Sequence, residues 1–238
     1  MSPIPLLYAH DAFVAVDKPA GVIVIPGRSE ESGPSLREQL ETQLGRPVWV
    51  VHRLDRDTSG VLLFALNARA HRTLSMAFEA GRVEKRYLAL ARGALAEEQD
   101  VRVPLAPARR GRMRPARAGE KDVKEAHTHV RPLERFGQRA TLVEATPFTG
   151  RTHQIRVHLL AIGHPLLFDH QYGQTRHVTA TELGGSGDEV VLARTPLHAS
   201  RLRLEGLEAI PDMELEAPLP GDMARALELL RSSAATTA

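Results

Sequence analysis

The sequence predicts an α+β fold in which a mixed, mainly antiparallel sheet is flanked by helices and loops. Apolar segments of strand length recur along the chain, and other segments show the helical spacing of apolar residues. Strands and helices do not alternate as regular β-α-β units, no internal repeat is visible, and no linker divides the chain. We therefore expect residues 1–231 to form one domain and residues 232–238 to be a disordered tail.

The composition is that of an ordinary globular protein, and it excludes several kinds of site. The chain has 238 residues, of which 42% are hydrophobic and 25% are charged. A chain of this length and composition can form a hydrophobic core without disulfide bonds. It contains no cysteine, which excludes disulfides, thiolate metal sites, iron–sulfur clusters and a cysteine nucleophile. No signal peptide is visible, and the longest apolar runs are strand-sized. We expect a cytoplasmic protein that does not enter a membrane.

The first half of the chain is predicted to contribute five strands and two helices. Two short strands flank a turn at Pro19–Gly21. A helix over LREQLETQL begins after the N-cap Ser35 and ends at Gly45. Apolar runs and periodicity predict the other elements, namely strands at 48–51, 61–66 and 84–93 and a helix at 68–80 that buries Leu74, Ala77 and Phe78.

The second half is predicted to contain an antiparallel pair of strands, a further strand and two helices. The expected bounds are 127–136 and 139–148 for the paired strands, 197–204 for the third strand, and 151–163 and 222–231 for the helices.

Positive charge is concentrated in residues 105–124. The whole chain has a net charge of +2, whereas this segment alone carries seven basic and two acidic residues. Prolines and glycines interrupt it, so we expect a long, mobile loop rather than a packed element. Such a loop is expected to face a polyanion, with phosphate contacts from Arg109, Arg110, Arg112 and Arg114. Only 4% of the residues are aromatic, which argues against a sheet that stacks several bases.

The segment HRLDRDTSG (52–60) is the first candidate for a catalytic site. Two predicted buried strands hold the ends of this loop. Arg53 and Arg56 flank Asp55 and favour its ionised form, which suits a nucleophile or a base. A salt-bridged polar turn without catalytic function explains the same composition. Ser59 lacks the G-x-S-x-G context of a serine nucleophile, and the segment lacks the accompanying motifs of a kinase.

The segment TGRTHQIRVHL (149–159) is the second candidate. Arg151 is predicted at the N-terminus of a helix, on the side of the buried Ile155, where the helix dipole disfavours a cation. An anion is therefore expected near it, either a carboxylate or a phosphate, and a solvent-exposed arginine is the alternative. His153 and Arg156 lie three residues apart on another face, and we expect them to contact phosphates together.

Several histidines suggest a metal site, but their spacing is not that of metal ligands. His127 and His129 share one face of a predicted strand, whereas His153 and His158 lie five residues apart on a helix rather than four. We therefore expect no metal site. Tyr87, in a predicted strand, is by itself explained as a half-buried strand residue.

Taken together, the motifs resemble the RluA-type pseudouridine synthase family. The resemblance rests on DAFVAVDKPAGVIV, VVHRLDRDTSGVLLFAL, KRYLAL, GRTHQIRVHLLAIGHPLLFDHQYG and LHASRLRL, in this order. It extends from about Leu6 to about Pro220, and the pair HRLDxxTSG and GRTHQIRxH is a specific double signature. It implies the pseudouridine synthase catalytic fold. It also implies an isomerase that detaches uracil from ribose, turns the base and rejoins it through C5, without a cofactor or metal.

The family motifs imply roles for individual residues. Asp55 is the catalytic aspartate, which attacks or deprotonates at the sugar, and Tyr87 packs on the target base and takes the C5 proton. Arg151 pairs with Asp55, Arg53 fills the space that the flipped base leaves, and Leu202 lies against the uracil. Because a base in structured RNA must be flipped before its glycosidic bond is accessible, the expected substrate is a uridine of rRNA or tRNA.

The resemblance also implies a short family member that lacks the N-terminal S4-like RNA-binding module. RNA binding is then expected from the catalytic domain and residues 105–124, and the chain is expected to act as a monomer. A non-catalytic RNA-binding relative is one alternative, but it would be expected to have lost Asp55, Tyr87 or Arg151. A hydrolase using Asp55 and Asp57 as an acid–base pair is the other. Two residues of one loop do not easily flank a bond from opposite sides.

Overall fold

The computed structural model describes residues 3–26, 33–173 and 176–236. The chain forms two compact units. The first unit comprises Met1–Lys85 and Ala199–Pro218, and the second comprises Arg86–His198 and Leu219–Ala238. No helix in the described ranges combines the length and apolar character needed to cross a membrane.

Within its described residues, the first unit contains antiparallel strands and two α-helices. Its strands are β1 (Leu6–Ala9), β2 (Phe13–Lys18), β3 (Trp49–Val50), β4 (Ser59–Ala65), most of β13 (Leu197–Leu204) and β14 (Met213–Glu216). β2 pairs with β1 and β4, β3 pairs with β4, and β14 pairs with β13, all antiparallel. The helices are α1 (Leu36–Leu44) and α2 (Ala68–Glu79).

Local sequence explains two of these elements directly. Every residue of β4 is buried, as its continuous apolar sequence predicts. α1 has the predicted bounds because Ser35 and Glu38 form a reciprocal capping box at its start. At its end, Gly45 adopts the left-handed conformation.

The apolar segment 22–25 is not the predicted strand, and β1 with β2 forms the hairpin instead. The carbonyl oxygens of Ile23 and Val24 accept hydrogen bonds from the backbone N–H groups of Leu36 and Arg37, at 2.8 and 3.2 Å. These donors belong to the first turn of α1, where they have no partner within the helix. The segment therefore caps α1 rather than pairing in a sheet.

The described part of the second unit contains the remaining strands and two further α-helices. Its strands are most of β5 (Glu84–Arg92), then β6 (Gln99–Val101), β7 (Leu105–Pro107), β8 (Met113–Pro115), β9 (Thr128–Phe136), β10 (Ala140–Pro147), β11 (Val178–Thr179) and β12 (Val190–Leu192). Antiparallel pairing gives the order β5-β10-β9-β6, and β7 with β8 and β11 with β12 form separate pairs. The helices are α3 (Gln154–Ala161) and α4 (Gly221–Thr236).

The division into units occurs within strands. The chain leaves the first unit between Lys85 and Arg86, inside β5, and returns between His198 and Ala199, inside β13. Strand sequence continues through both points, so no linker composition indicates them. The assignment of residues 1–231 to one domain stays a prediction.

Residues 105–124 contain a packed hairpin, which corrects the prediction of a long, structureless loop. β7 and β8 pair with each other, and Leu105 also exchanges backbone hydrogen bonds of 2.9 and 2.8 Å with Lys124. Leu105 and Met113 are buried in an apolar cluster with Val157 of α3. We call residues 105–124 the basic hairpin. Its buried residues pack against α3, which lies far along the sequence.

The C-terminal helix is longer than predicted. α4 continues through residues 232–236, which were expected to belong to a disordered tail, and residues 237–238 lie outside the described residues. The hydroxyl of Ser233 accepts a hydrogen bond from the Arg139 guanidinium at 2.8 Å. This contact ties the last turns of α4 to the rest of the unit.

Candidate active site

A buried lysine holds the loop that carries Asp55. Lys18, at the end of β2, is fully buried. Its ammonium group donates hydrogen bonds to the carbonyl oxygens of Pro19, Arg56 and Thr58, at 2.9, 2.9 and 2.8 Å. Two of these carbonyls follow Asp55 in the same loop, so one charged donor fixes the loop to β2. The sequence signal for Lys18 is a charged residue at the end of an apolar strand, followed by proline.

Backbone contacts fix the same loop further. Gly21 N–H donates to the Arg56 carbonyl at 2.9 Å, and Arg56 Nε donates to the Gly21 carbonyl at 3.0 Å. Gly60 adopts a φ of +113°, and a Cβ there would collide with the backbone of Ala199. The segments DKPAG and HRLDRDTSG therefore form one rigid structural element.

His52 anchors the start of the loop as a neutral imidazole. Its Nε2 accepts a hydrogen bond from Leu63 N–H at 3.0 Å, and its ring stacks on Phe78, with centroids 4.0 Å apart and planes at 15°. Burial, followed by the positive charge of Lys85, lowers the pKa of His52 to about 3. Burial also lowers the pKa of Lys85. Because Nε2 is an acceptor, the ring proton is on Nδ1.

Asp55 is half-buried on this fixed loop, and the flanking Arg53 and Arg56 are exposed. The Asp55 carbonyl accepts a hydrogen bond from Thr58 N–H at 3.2 Å, which closes the turn after it. The loop therefore presents the Asp55 carboxylate from a constrained backbone, as a positioned nucleophile or base requires.

The side chain of Gln154 organises a second fixed turn, which precedes α3. Its amide oxygen accepts hydrogen bonds from the Thr149 hydroxyl at 2.7 Å and from Arg151 N–H at 3.0 Å. Its amide nitrogen donates to the His127 carbonyl at 3.0 Å and to the Thr128 hydroxyl at 2.9 Å. Gln154 is buried, so an apolar replacement would leave these polar groups without partners. Sequence reasoning missed this residue because an isolated glutamine usually lies on the surface.

Arg151 lies in this turn and not in the helix, which corrects the predicted helix over 151–163. The turn ends at His153, which has a φ of +55°, and α3 begins after it. Arg151 is exposed, and its Nε donates a hydrogen bond to the Glu125 carbonyl at 3.0 Å. The predicted placement of Arg151 in the first turn of the helix is therefore wrong.

Arg156 is buried, which contradicts the predicted phosphate contact. It is 4% exposed, and its Nε and Nη2 donate to the two carboxylate oxygens of Asp169, both at 2.7 Å. Burial alone would raise the pKa of Asp169. The Arg156 hydrogen bonds and charge, with the backbone donors of Gln171 and Tyr172, outweigh burial and lower that pKa. The guanidinium is thus engaged in a buried ion pair, and we assign Arg156 to positioning.

Tyr172 connects the turn before α3 with the basic hairpin. Its hydroxyl accepts a hydrogen bond from Met113 N–H at 2.7 Å and lies 2.7 Å from His153 Nδ1. His153 is half-buried, and its role in substrate binding stays a prediction.

The arginines of the basic hairpin are not equivalent. Arg114 forms a salt bridge with Glu120, including a hydrogen bond of 2.8 Å from Nη1 to Oε2. Hydrogen bonding by Arg114 lowers the pKa of Glu120 to about 2. Arg109 and Arg112 are exposed on the hairpin surface. These two arginines are therefore better placed than Arg114 to contact phosphates.

The structure places Tyr87 and Leu202 in different surroundings. Tyr87 lies in β5 opposite Ala145 and packs against the core of the second unit, which includes Ile155 of α3. Leu202 is 2% exposed in the core of the first unit, in one cluster with Leu74. Because the Leu202 side chain is already packed there, its placement argues against the predicted contact with uracil.

The histidines considered as metal ligands have other partners. His158 Nδ1 lies 2.9 Å from the Thr128 hydroxyl oxygen, and His158 Nε2 lies 2.9 Å from the Val103 carbonyl oxygen. Burial lowers the pKa of His158. His127 Nε2 lies 2.7 Å from Asp100 Oδ1. Within the described ranges, no three or more His, Cys, Asp or Glu side chains are grouped to hold a metal ion.

The two fixed motifs lie in a region that matches a known family. The sequence model of RNA pseudouridylate synthases matches residues 12–161, a range that contains Asp55, Tyr87 and Arg151. The chain belongs to the RNA pseudouridylate synthase family, which confirms the resemblance drawn from the motifs.

Individual relatives agree with this assignment. The chain is 39% identical to ribosomal large subunit pseudouridine synthase D of Nitrosomonas europaea, over 97% of this chain and 66% of that one. It is 37% identical to ribosomal large subunit pseudouridine synthase C of Yersinia pestis, over 96% of this chain and 70% of that one. The chain thus spans about two thirds of the length of these curated relatives.

Solved structures confirm the predicted fold. Human RNA pseudouridylate synthase domain containing 1 is similar with a TM-score of 0.68 at 26% identity, over 98% of both chains. Human RNA pseudouridylate synthase domain containing 4 has a TM-score of 0.72 at 24% identity, over 95% of this chain and 93% of that one.

Proposed function

We propose that this protein is an RNA pseudouridine synthase that converts a specific uridine of large-subunit ribosomal RNA into pseudouridine. The observation that carries the proposal is Asp55, the aspartate of the family motif, on a loop fixed by Lys18 and Gly21. The names of the curated relatives support ribosomal RNA over transfer RNA. This substrate also implies a cytoplasmic enzyme.

The proposed reaction is an isomerisation that conserves all atoms. The C–N bond between uracil N1 and ribose C1′ breaks, the base turns, and a C–C bond forms between C5 and C1′. The proton on C5 leaves, and N1 gains one. Because the target base must leave its stack first, base flipping precedes glycosidic cleavage.

Four residues carry roles in this proposal. Asp55 acts at the sugar as a nucleophile or base, and Tyr87 packs on the base and accepts the C5 proton. Arg151 is assigned as the charge partner of Asp55 by the family motif alone. Arg53 is assigned to the space that the flipped base leaves, and its exposure supports this role, because such a side chain must reach into the RNA.

Asp57 provides a matched control for Asp55, since the two carboxylates belong to the same loop. The assay is tritium release from an unmodified large-subunit ribosomal RNA transcript that carries [5-³H]uridine. Asp55→Asn should abolish release and leave RNA binding near the wild-type level, because the amide keeps the volume but removes the charge. Asp57→Asn removes the same charge and should retain release. Equal rates for wild type and Asp55→Asn would exclude Asp55 as the essential group.

We further propose that the basic hairpin binds the RNA backbone. Replacing Arg109 and Arg112 by alanine should weaken RNA binding and reduce the salt slope by about 0.7–0.9 for each lost phosphate contact. Arg135→Ala with Arg225→Ala removes the same charge from exposed arginines elsewhere in the second unit and controls for net charge. An unchanged slope for the hairpin variant would place the RNA path elsewhere.

A further inference from the structure

Phe148 is an exposed aromatic ring in a rigid setting beside the candidate catalytic turn. The residue is 52% exposed, and its ring stacks on the imidazole of His127, with centroids 4.4 Å apart and planes at 23°. Its backbone N–H donates a hydrogen bond to the His127 carbonyl at 3.0 Å. One side of the ring is thus supported within the protein, while the residue remains exposed to solvent.

The supporting imidazole is itself held in place. His127 Nε2 lies 2.7 Å from Asp100 Oδ1, and His127 N–H donates to the Thr149 hydroxyl at 3.0 Å. The hydrogen bond from His127 is the largest cause that lowers the pKa of Asp100, so this carboxylate is ionised at neutral pH. The stacked pair is therefore built before any ligand arrives, which reduces the ordering cost of binding.

One side chain links this stacked pair to Arg151. Gln154 donates to the His127 carbonyl at 3.0 Å and accepts from Arg151 N–H at 3.0 Å. The guanidinium of Arg151 also donates to the carbonyl of Glu125, two residues before His127. The exposed ring and the candidate catalytic arginine thus belong to one hydrogen-bonded corner of the second unit.

We propose that Phe148, supported by His127, is a stacking subsite for an unpaired base of the substrate RNA. The inference rests on the proposed function only in taking RNA as the ligand. An aromatic face accepts any base, because every base has a π-face. The Phe148 ring carries no charge and no hydrogen-bond donor, which favours the face of a base over a phosphate of the RNA backbone as the group that is bound. This single ring differs from an aromatic sheet that reads several bases.

Substitution of Phe148 tests the subsite by binding to an unmodified transcript of large-subunit ribosomal RNA. Phe148→Ala should weaken binding by about 5-fold to about 150-fold, the range for loss of one stacked base. The salt slope should stay unchanged, because no phosphate contact is lost. Phe148→Tyr should bind like wild type. Leu133→Ala is the matched control, since Leu133 is 42% exposed on β9, and it should not change binding.

A fluorescence measurement reports the stacking itself. Trp49 is the only tryptophan of the chain, so Trp49→Phe gives a background variant without tryptophan fluorescence. In this background, Phe148→Trp should be strongly quenched by the RNA, whereas Leu133→Trp should not. If Phe148→Ala binds the RNA with wild-type affinity, or if the RNA does not quench Phe148→Trp, the proposed subsite is wrong. The exposed ring would then contact something other than an RNA base, such as another protein. Tritium release by the wild type tests the proposed function separately, because the subsite is judged by RNA binding alone.

Discussion

The stability of the first unit should fall as the pH drops from 7.5 to 5, because His52 is held neutral in the folded chain. The folded pKa is about 3, against an ordinary value of 6.5. Below 6.5 the unfolded chain binds a proton that the folded chain does not, so the unfolded state gains stability as the pH falls. Each unit of pH contributes about 1.36 kcal/mol, so the loss between pH 7.5 and 5 is about 2 kcal/mol.

Urea unfolding followed by the fluorescence of Trp49 measures this loss, because Trp49 lies in β3 of the first unit. His52→Gln keeps an amide oxygen that can accept the Leu63 N–H but removes the titration. The difference in unfolding free energy between wild type and His52→Gln should therefore narrow by about 2 kcal/mol over this pH range. Parallel pH profiles for wild type and His52→Gln would refute a buried neutral histidine.

Three further predictions test the site residues. Lys18→Met should destabilise the protein by about 3–5 kcal/mol in urea unfolding, because three carbonyl oxygens lose a charged donor. An unchanged unfolding midpoint would refute the role of Lys18 in holding the loop. Arg156→Met should lower the free energy of unfolding by about 3–5 kcal/mol, because the buried Asp169 carboxylate loses its charge partner. Arg151 is exposed, so Arg151→Met should reduce activity but lower the free energy of unfolding by at most about 0.5 kcal/mol. Equal melting of these two arginine variants would contradict their assignments. Tyr87→Phe should bind RNA but stall after glycosidic cleavage, and a normal product yield would exclude the hydroxyl as the base.

Elements with strong local signals were predictable from the sequence. The bounds of α1 follow from Ser35, Glu38 and Gly45, which determine both ends of the helix without help from the rest of the chain. The continuous apolar run of β4 and the antiparallel pairing of β9 with β10 were also predicted correctly. In each case the deciding residues are neighbours in sequence.

Features that depend on distant partners were not predictable. The basic hairpin shows charge and turn residues in its sequence, while the residue that packs against it, Val157, belongs to α3. Arg151 and Arg156 lie in one motif, and only Asp169, thirteen residues after Arg156, decides which of them is buried. A single sequence does not specify such pairings.

The most direct test of the proposed function is pseudouridine mapping on an unmodified large-subunit ribosomal RNA transcript after incubation with the purified protein. Carbodiimide labelling followed by primer extension locates each pseudouridine. The wild type should produce a stop at one or a few specific uridines, and Asp55→Asn should produce none. No stop with the wild type, although the RNA binds, would contradict a pseudouridine synthase acting on this RNA. Identical stops with wild type and Asp55→Asn would contradict the assignment of Asp55.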